Sequence, residues 1–188
     1  MASPILVTGG TGTLGRLVVP RLRCAGSAVR VLSRREQPGT DDGIEFVVGD
    51  LSTGDGLDAA VAGIDVILHL GGTSSGDDVK ARHLVRAAAR AGARHLVFVS
   101  VVGADRVPVT GAVDRAMFGY FASKLAAERV VEESGLPWTT LRAAGRRRLV
   151  LPVRLPGRAA RAFRDGANLA PEHATGRRTW EAFLATAV

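Results

Sequence analysis

Cysteine, tyrosine and lysine are nearly missing from this 188-residue chain, which has one Cys, one Tyr, and Lys at positions 80 and 124 alone. The single Cys24 excludes an internal disulfide and suits a reducing compartment, and its setting reads as core. No apolar run approaches the ~20 residues that a membrane-spanning helix needs, and no signal-like segment precedes Ile5, so a cytoplasmic protein without membrane attachment is expected. His69, His83, His95 and His173 lack metal-ligand spacing, so no metal is expected, and His69, inside an apolar run, reads as a satisfied core residue. Zinc-ligand spacing, helix-turn-helix pattern and aromatic RNA-binding motif are also lacking, so the net charge of +7 makes no case for nucleic acid. That charge is uneven: residues 1–142 carry +1 and residues 143–188 carry +6. The basicity belongs to the tail, where it reads as a solvated face.

What is present begins at the N-terminal end. The apolar run Pro4 to Thr8 breaks into Gly9-Gly10-Thr11-Gly12-Thr13-Leu14-Gly15 and resumes with helical spacing. A strand, a glycine-rich turn and a helix in that order build a dinucleotide site. Gly9 permits the tight turn, Gly12 lets backbone approach a pyrophosphate at the helix N-terminus, and Gly15 allows the helix to pack on the sheet. Val29 to Leu32 reads as a second strand, followed by Ser33-Arg34-Arg35 at the position where an acidic residue would bind the ribose diol of NAD. Two arginines there favour a 2′-phosphate, hence NADP over NAD. Gly10 to Gly15 has the spacing of a nucleoside-triphosphate loop, but Arg16-Leu17 stands where Lys-Ser/Thr is required, which argues against ATP or GTP hydrolysis.

The alternation then continues. Strands are expected at Ile44–Val48, Val66–Leu70, His95–Ser100 and Trp138–Leu141, with helices over about Leu57–Ala62, Val79–Ala91 and Tyr120–Glu133. Strands separated by helices imply right-handed parallel crossovers and a sheet covered on both faces. The expected fold is therefore α/β: a doubly wound parallel sheet of about six strands in residues 1–142, followed by a short basic extension, 143–188. That extension holds the arginine-rich connection Arg146 to Arg148, a helix near Arg158 to Arg164, and a last helix capped by Thr179 with Trp180, Phe183 and Leu184 on one face.

Tyr120 and Lys124 are four apart on a predicted helix, which puts phenol and ammonium on one face. An adjacent ammonium lowers a phenol pKa from about 10, and Tyr120 can then exchange a proton with a substrate carbonyl or alcohol. Asp77-Asp78 reads as a helix cap and dipole partner rather than a catalytic pair.

These residues together resemble the short-chain dehydrogenase/reductase superfamily, and within it the atypical NmrA-like NAD(P)H-binding proteins and nucleoside-diphosphate-sugar epimerase-like chains. The resemblance runs from residue 4 to about 142. It implies a Rossmann-type domain with cofactor contacts from Thr8, Gly9, Thr11, Gly12, Thr13, Leu14 and Gly15, from Ser33, Arg34 and Arg35, from Asp50-Leu51 beside the adenine, and from Leu70-Gly71-Gly72 and Lys124. It implies a catalytic set of Tyr120, Lys124 and Ser100.

Three departures accompany the resemblance. Val101 stands where active members have the second of two serines, the loop Gly103 to Gly119 looks long, and the chain passes from Arg142 to its tail as if a block of on the order of 60 residues were absent. The expected function is NADP(H)-dependent oxidation or reduction of a small carbonyl or alcohol. The alternatives are a non-catalytic NADP(H) sensor or assembly factor, or an inactive shortened relative. A homodimer is the expected assembly.

Overall fold

The computed structural model describes residues 3–37, 43–143, 158–167 and 169. The last helix expected after Thr179 and the connection Arg146 to Arg148 lie outside the described residues. The elements are β1 (Ile5–Thr8), α1 (Gly15–Cys24), β2 (Val29–Ser33), β3 (Ile44–Val48), α2 (Leu57–Val61), β4 (Val66–His69), α3 (Asp77–Arg90), β5 (His95–Val101), α4 (Ala112–Glu132), β6 (Trp138–Ala143) and α5 (Arg158–Arg164). The six strands form one parallel sheet in the order β3-β2-β1-β4-β5-β6. The order reverses between β1 and β4. Such a switch point opens a crevice outside the carboxyl ends of the strands, where α/β sheets bind ligands.

The central strands bury both faces, which is why their sequences run apolar without alternation. Leu6, Ile67, Leu96 and Phe98 meet Leu57, Leu84 and Val131 of α2, α3 and α4 on one side, while Val7, Val29 and Val31 meet Val19 of α1 on the other. The edge strand β6 differs: Trp138 and Leu141 are exposed.

The expected Rossmann-type α/β fold is observed, and most elements lie within two residues of their expected limits. The largest difference is α4, which starts at Ala112 rather than near Tyr120, so half of the supposed long loop is helix. Asp114 initiates it by accepting a hydrogen bond from the Gly111 amide at 3.3 Å. Tyr120 therefore sits in the third turn of a helix, not at its start. Cys24 is exposed at the end of α1, contrary to the expectation of a core residue.

Candidate functional site

A cavity of about 390 Å³ lies at the switch point, with the turn after β1 along one wall. Gly9 has φ +72°, and a side chain there would come within 2.7 Å of the Gly71 amide nitrogen, so the turns after β1 and β4 touch through bare backbone. A Cβ on Gly15 would lie 2.3 Å from the Gly9 carbonyl oxygen and 2.4 Å from Gly10. Gly15 thus lets α1 close on its own turn, not on the sheet as expected. Gly10, which the pattern did not single out, is the glycine that presses on the sheet, 2.7 Å from Val31 measured at its ideal Cβ. Helix α1 opens with no side-chain cap at Leu14 and no acidic residue in its first turn, which leaves the positive end of its dipole available to an anion.

Of the residues expected around a cofactor, Gly9, Thr11, Gly12, Thr13, Leu14, Ser33, Arg34, Asp50, Leu51, Leu70, Gly71 and Gly72 all line the cavity. Thr8, Gly15, Arg35 and Lys124 do not. Thr8 and Gly15 are buried behind the wall, Arg35 is exposed beyond it, and Lys124 is only 4% exposed. The fold adds Leu32, Gly49, Ser52, Thr73 and Lys80 to the lining. Lys80 is a cation that the motifs gave no reason to place there.

Behind the cavity lies a buried polar cluster. Lys124 Nζ is 3.2 Å from Asp77 Oδ2 and donates to the Val99 carbonyl at 3.3 Å. It also stands 5.0 Å from the Phe98 ring centroid and 5.9 Å from that of Tyr120. The side-chain oxygens of Asp77 are fully enclosed. Oδ1 accepts from the Thr73 amide at 2.8 Å and from its hydroxyl at 3.3 Å. Asp77 occupies the first turn of α3 as expected, yet its carboxylate makes no cap there; it serves as counter-ion to Lys124. That partnership could not be inferred from spacing, because 47 residues separate the two.

Asp77 also acts on Tyr120. The expected lowering of its pKa is not found: the phenol is pushed above its ordinary value of 10.0, first by burial and then by the charge of Asp77. Ser100, the third catalytic candidate, is buried, and among the described residues its hydroxyl has no hydrogen-bond partner. Val101 is buried at the neighbouring position. His69 is half satisfied. Its Nδ1 shares a 2.5 Å hydrogen bond with Thr8 Oγ1, Nε2 has no partner among the described residues, and the ring stacks on Phe98. Burial, with the charge of Lys124 second, lowers its pKa to about 3, so it is neutral over the ordinary pH range. No helix of the described residues is long and apolar enough to cross a membrane.

A family model described as NAD(P)H-binding matches residues 9–147. A (4-alkanoyl-5-oxo-2,5-dihydrofuran-3-yl)methyl phosphate reductase from Streptomyces griseus is 35% identical over 140 residues, which cover 73% of this chain and 46% of that protein. The Citrobacter sp. triphenylmethane reductase, solved with NADP(H), superposes with a TM-score of 0.64 at 28% identity, covering 75% of this chain and 49% of its own. A short-chain dehydrogenase/reductase superfamily protein from Agrobacterium tumefaciens, solved with NAD, gives 0.59 at 30% identity, covering 73% and 48%. The chain thus spans about half the length of the relatives it matches. The family match covers most of the chain and includes the glycine turn and every residue that lines the switch-point cavity, and the chain belongs to the NAD(P)H-binding family.

Proposed function

We propose that the protein binds NADP(H) in the switch-point cavity and reduces a small carbonyl compound, with Tyr120 as the proton donor. The observation that carries this reading is the double position of Gly72. Its backbone lines the cavity, and a Cβ there would lie 2.6 Å from Lys124 Nζ and 3.0 Å from Asp77 Oδ2. Lys124 and Asp77 therefore lie directly behind the cavity wall at Gly72, with no side chain between, and Tyr120 is tied to them through Lys124, whose ammonium is 5.9 Å from its ring centroid.

The cavity residues fit a dinucleotide. The bare turn Gly9 to Gly12 and the uncapped start of α1 suit a pyrophosphate, Asp50 and Leu51 flank the adenine end, and Arg34 supplies a cation for a 2′-phosphate. The bound nicotinamide would supply hydride. Tyr120, 41% exposed, is reachable by a substrate and gives its phenolic proton to the oxygen that receives charge as hydride arrives. Lys124 stands 5.9 Å from the Tyr120 ring centroid, and Ser100, whose buried hydroxyl has no partner among the described residues, is the candidate to polarise the carbonyl. Reduction agrees with the reductases that the chain resembles. Residues 1–142 form the cofactor domain in this reading, 143–188 are what stands in place of a larger substrate-binding part, and the low cysteine content accords with a cytoplasmic setting.

The test is NADPH-dependent turnover over a panel of aldehydes, ketones and quinones. Tyr120→Phe should abolish it and leave NADPH binding within about twofold. Turnover that survives this substitution removes Tyr120 from the reaction. A second reading, an NADP(H)-binding sensor without turnover, is favoured by Val101 and by the burial of Lys124 against Asp77. Tight NADPH binding with no turnover across the panel would select it.

A further inference from the structure

Both lysines of the chain end on one carboxylate: Lys124 Nζ is 3.2 Å from Asp77 Oδ2, and Lys80 Nζ is 3.4 Å from Oδ1. Helix α4 holds Asp77 twice, because the hydroxyl of Ser123 accepts from the Asp77 amide at 3.1 Å while the next residue, Lys124, meets the carboxylate. The side chains of Asp77 and Lys124 are 0% and 5% exposed. A buried ion pair of this kind contributes little net stability, since desolvation offsets the Coulomb attraction, so packing alone gives no reason for it. Its position does: the ammonium that stands 5.9 Å from the Tyr120 ring centroid, four residues on along the same helix face, is met by an opposite charge at 3.2 Å.

We propose that Asp77 is a positioning residue for Lys124, holding the ammonium beneath Gly72 and countering its charge at Tyr120, so that Tyr120 acts as a neutral proton donor and the site is set for reduction. The inference rests on the reading of Tyr120 as the acid and deepens it by fixing the direction of proton flow. In that direction the phenolic O–H bond breaks and an O–H bond forms on the substrate oxygen. The carbonyl π electrons pass to that oxygen as the carbon takes hydride from the reduced nicotinamide. The charged and titratable groups around the phenol support it. Lys124 stands 5.9 Å from the ring centroid, Lys80 on α3 is engaged by Asp77 and Thr73, and His69 on β4 is neutral. Burial and the Asp77 charge both favour the protonated phenol.

Because Tyr120 is the one tyrosine of the chain, phenolate absorbance in the near ultraviolet reports its ionisation alone, without cofactor, substrate or turnover. Fluorescence of the two tryptophans checks that the protein stays folded at each pH. The wild type should titrate above 10.0. Asp77→Asn should bring the midpoint down by about one pH unit or more, as the ammonium is released toward the phenol. Asp77→Asn combined with Lys124→Met should reverse most of that fall, whereas Asp77→Glu, which keeps the carboxylate, should preserve the high midpoint. Should Asp77→Asn not fold, Asp77→Ser, with a neutral acceptor and room for a water on the ammonium, gives the same comparison. An unmoved midpoint in the neutral variant would overturn the proposal. A fall that persists in the double variant would also do so, since the effect would then not pass through Lys124. Loss of the reading of Tyr120 as the acid would appear instead as turnover surviving Tyr120→Phe, with this titration unaffected.

Discussion

Arg142 grips Glu128 with both prongs of its guanidinium, Nε to Oε1 at 3.1 Å and Nη2 to Oε2 at 2.7 Å, while Nη1 reaches Asp105 at 2.8 Å. Glu128 is 1% exposed on α4, Arg142 is on β6, and Asp105 follows β5, so one side chain ties the edge strand to the helix that carries Tyr120 and Lys124. The hydrogen bonds that Arg142 donates to Glu128 raise the guanidinium pKa above its ordinary value, so Arg142 keeps its charge at any pH of interest.

Arg142→Ala leaves the Glu128 carboxylate buried without its partner, and the expected cost is about 3 kcal/mol. Glu128→Ala should cost less, because the freed guanidinium is partly exposed and keeps Asp105. Urea midpoints of the two variants give the comparison; an Arg142→Ala protein as stable as the wild type would mean that β6 is held by other contacts.

His69 gives the stability a defined acid limb. Its pKa is about 3 in the fold against 6.5 in an open chain. The unfolded chain takes up a proton below 6.5 and the folded one does not until about 3, so the contribution is complete above 6.5 and is lost as pH falls across that window. Between pH 7 and 4.5 the loss should be on the order of 2–3 kcal/mol. His69→Gln should lose correspondingly less over the same interval in denaturant titrations. Equal losses in the two proteins would assign the acid sensitivity elsewhere.

The glycines of the first turn should separate folding from binding. A Cβ at Gly15 would overlap the Gly9 carbonyl and Gly10 backbone, whereas one at Gly12 meets only the Gly9 oxygen at 3.2 Å. Gly15→Ala should therefore destabilise by about 3 kcal/mol through overpacking, while Gly12→Ala stays within about 1 kcal/mol of wild type and weakens NADPH binding. Thermal melts and cofactor titrations of both variants check this. If Gly12→Ala binds NADPH normally, the pyrophosphate does not rest on this turn.

Arg34 and Arg35 are adjacent, but Arg34 alone is at the cavity wall. NADPH should bind more tightly than NADH by at least about tenfold, or ~1.4 kcal/mol. Arg34→Ala should bring that ratio close to one, and Arg35→Ala should change it little. Calorimetric titration with both cofactors decides it, and a ratio near one in the wild type would withdraw the preference for NADP.

Much of the fold could be read in advance because its signals are local. The unbroken apolar runs of β1, β2 and β5 follow from burial on both faces, and the glycines that follow α2, α3 and α4 mark helix ends where φ becomes positive, as at Gly63, Gly92 and Gly135. The start of α4 was not legible in this way. Its first two turns carry Val113, Met117 and Arg115 on exposed surface, so no buried stripe announces a helix before Tyr120, and the cap is an Asp114 contact to backbone.

The sequence by itself determined the parallel sheet and the glycine turn, since each depends on neighbours a few positions away, and the resemblance it carries named many but not all of the residues along the cavity. Tertiary structure alone decided which of two adjacent arginines faces the cavity, which glycine presses on the sheet, and what Lys124 does. The ammonium and the phenol are four residues apart, but the carboxylate that governs both is brought from α3 by the packing of two helices. Electrostatic effects depend on distance and burial in space, and neither is written in the spacing along a chain.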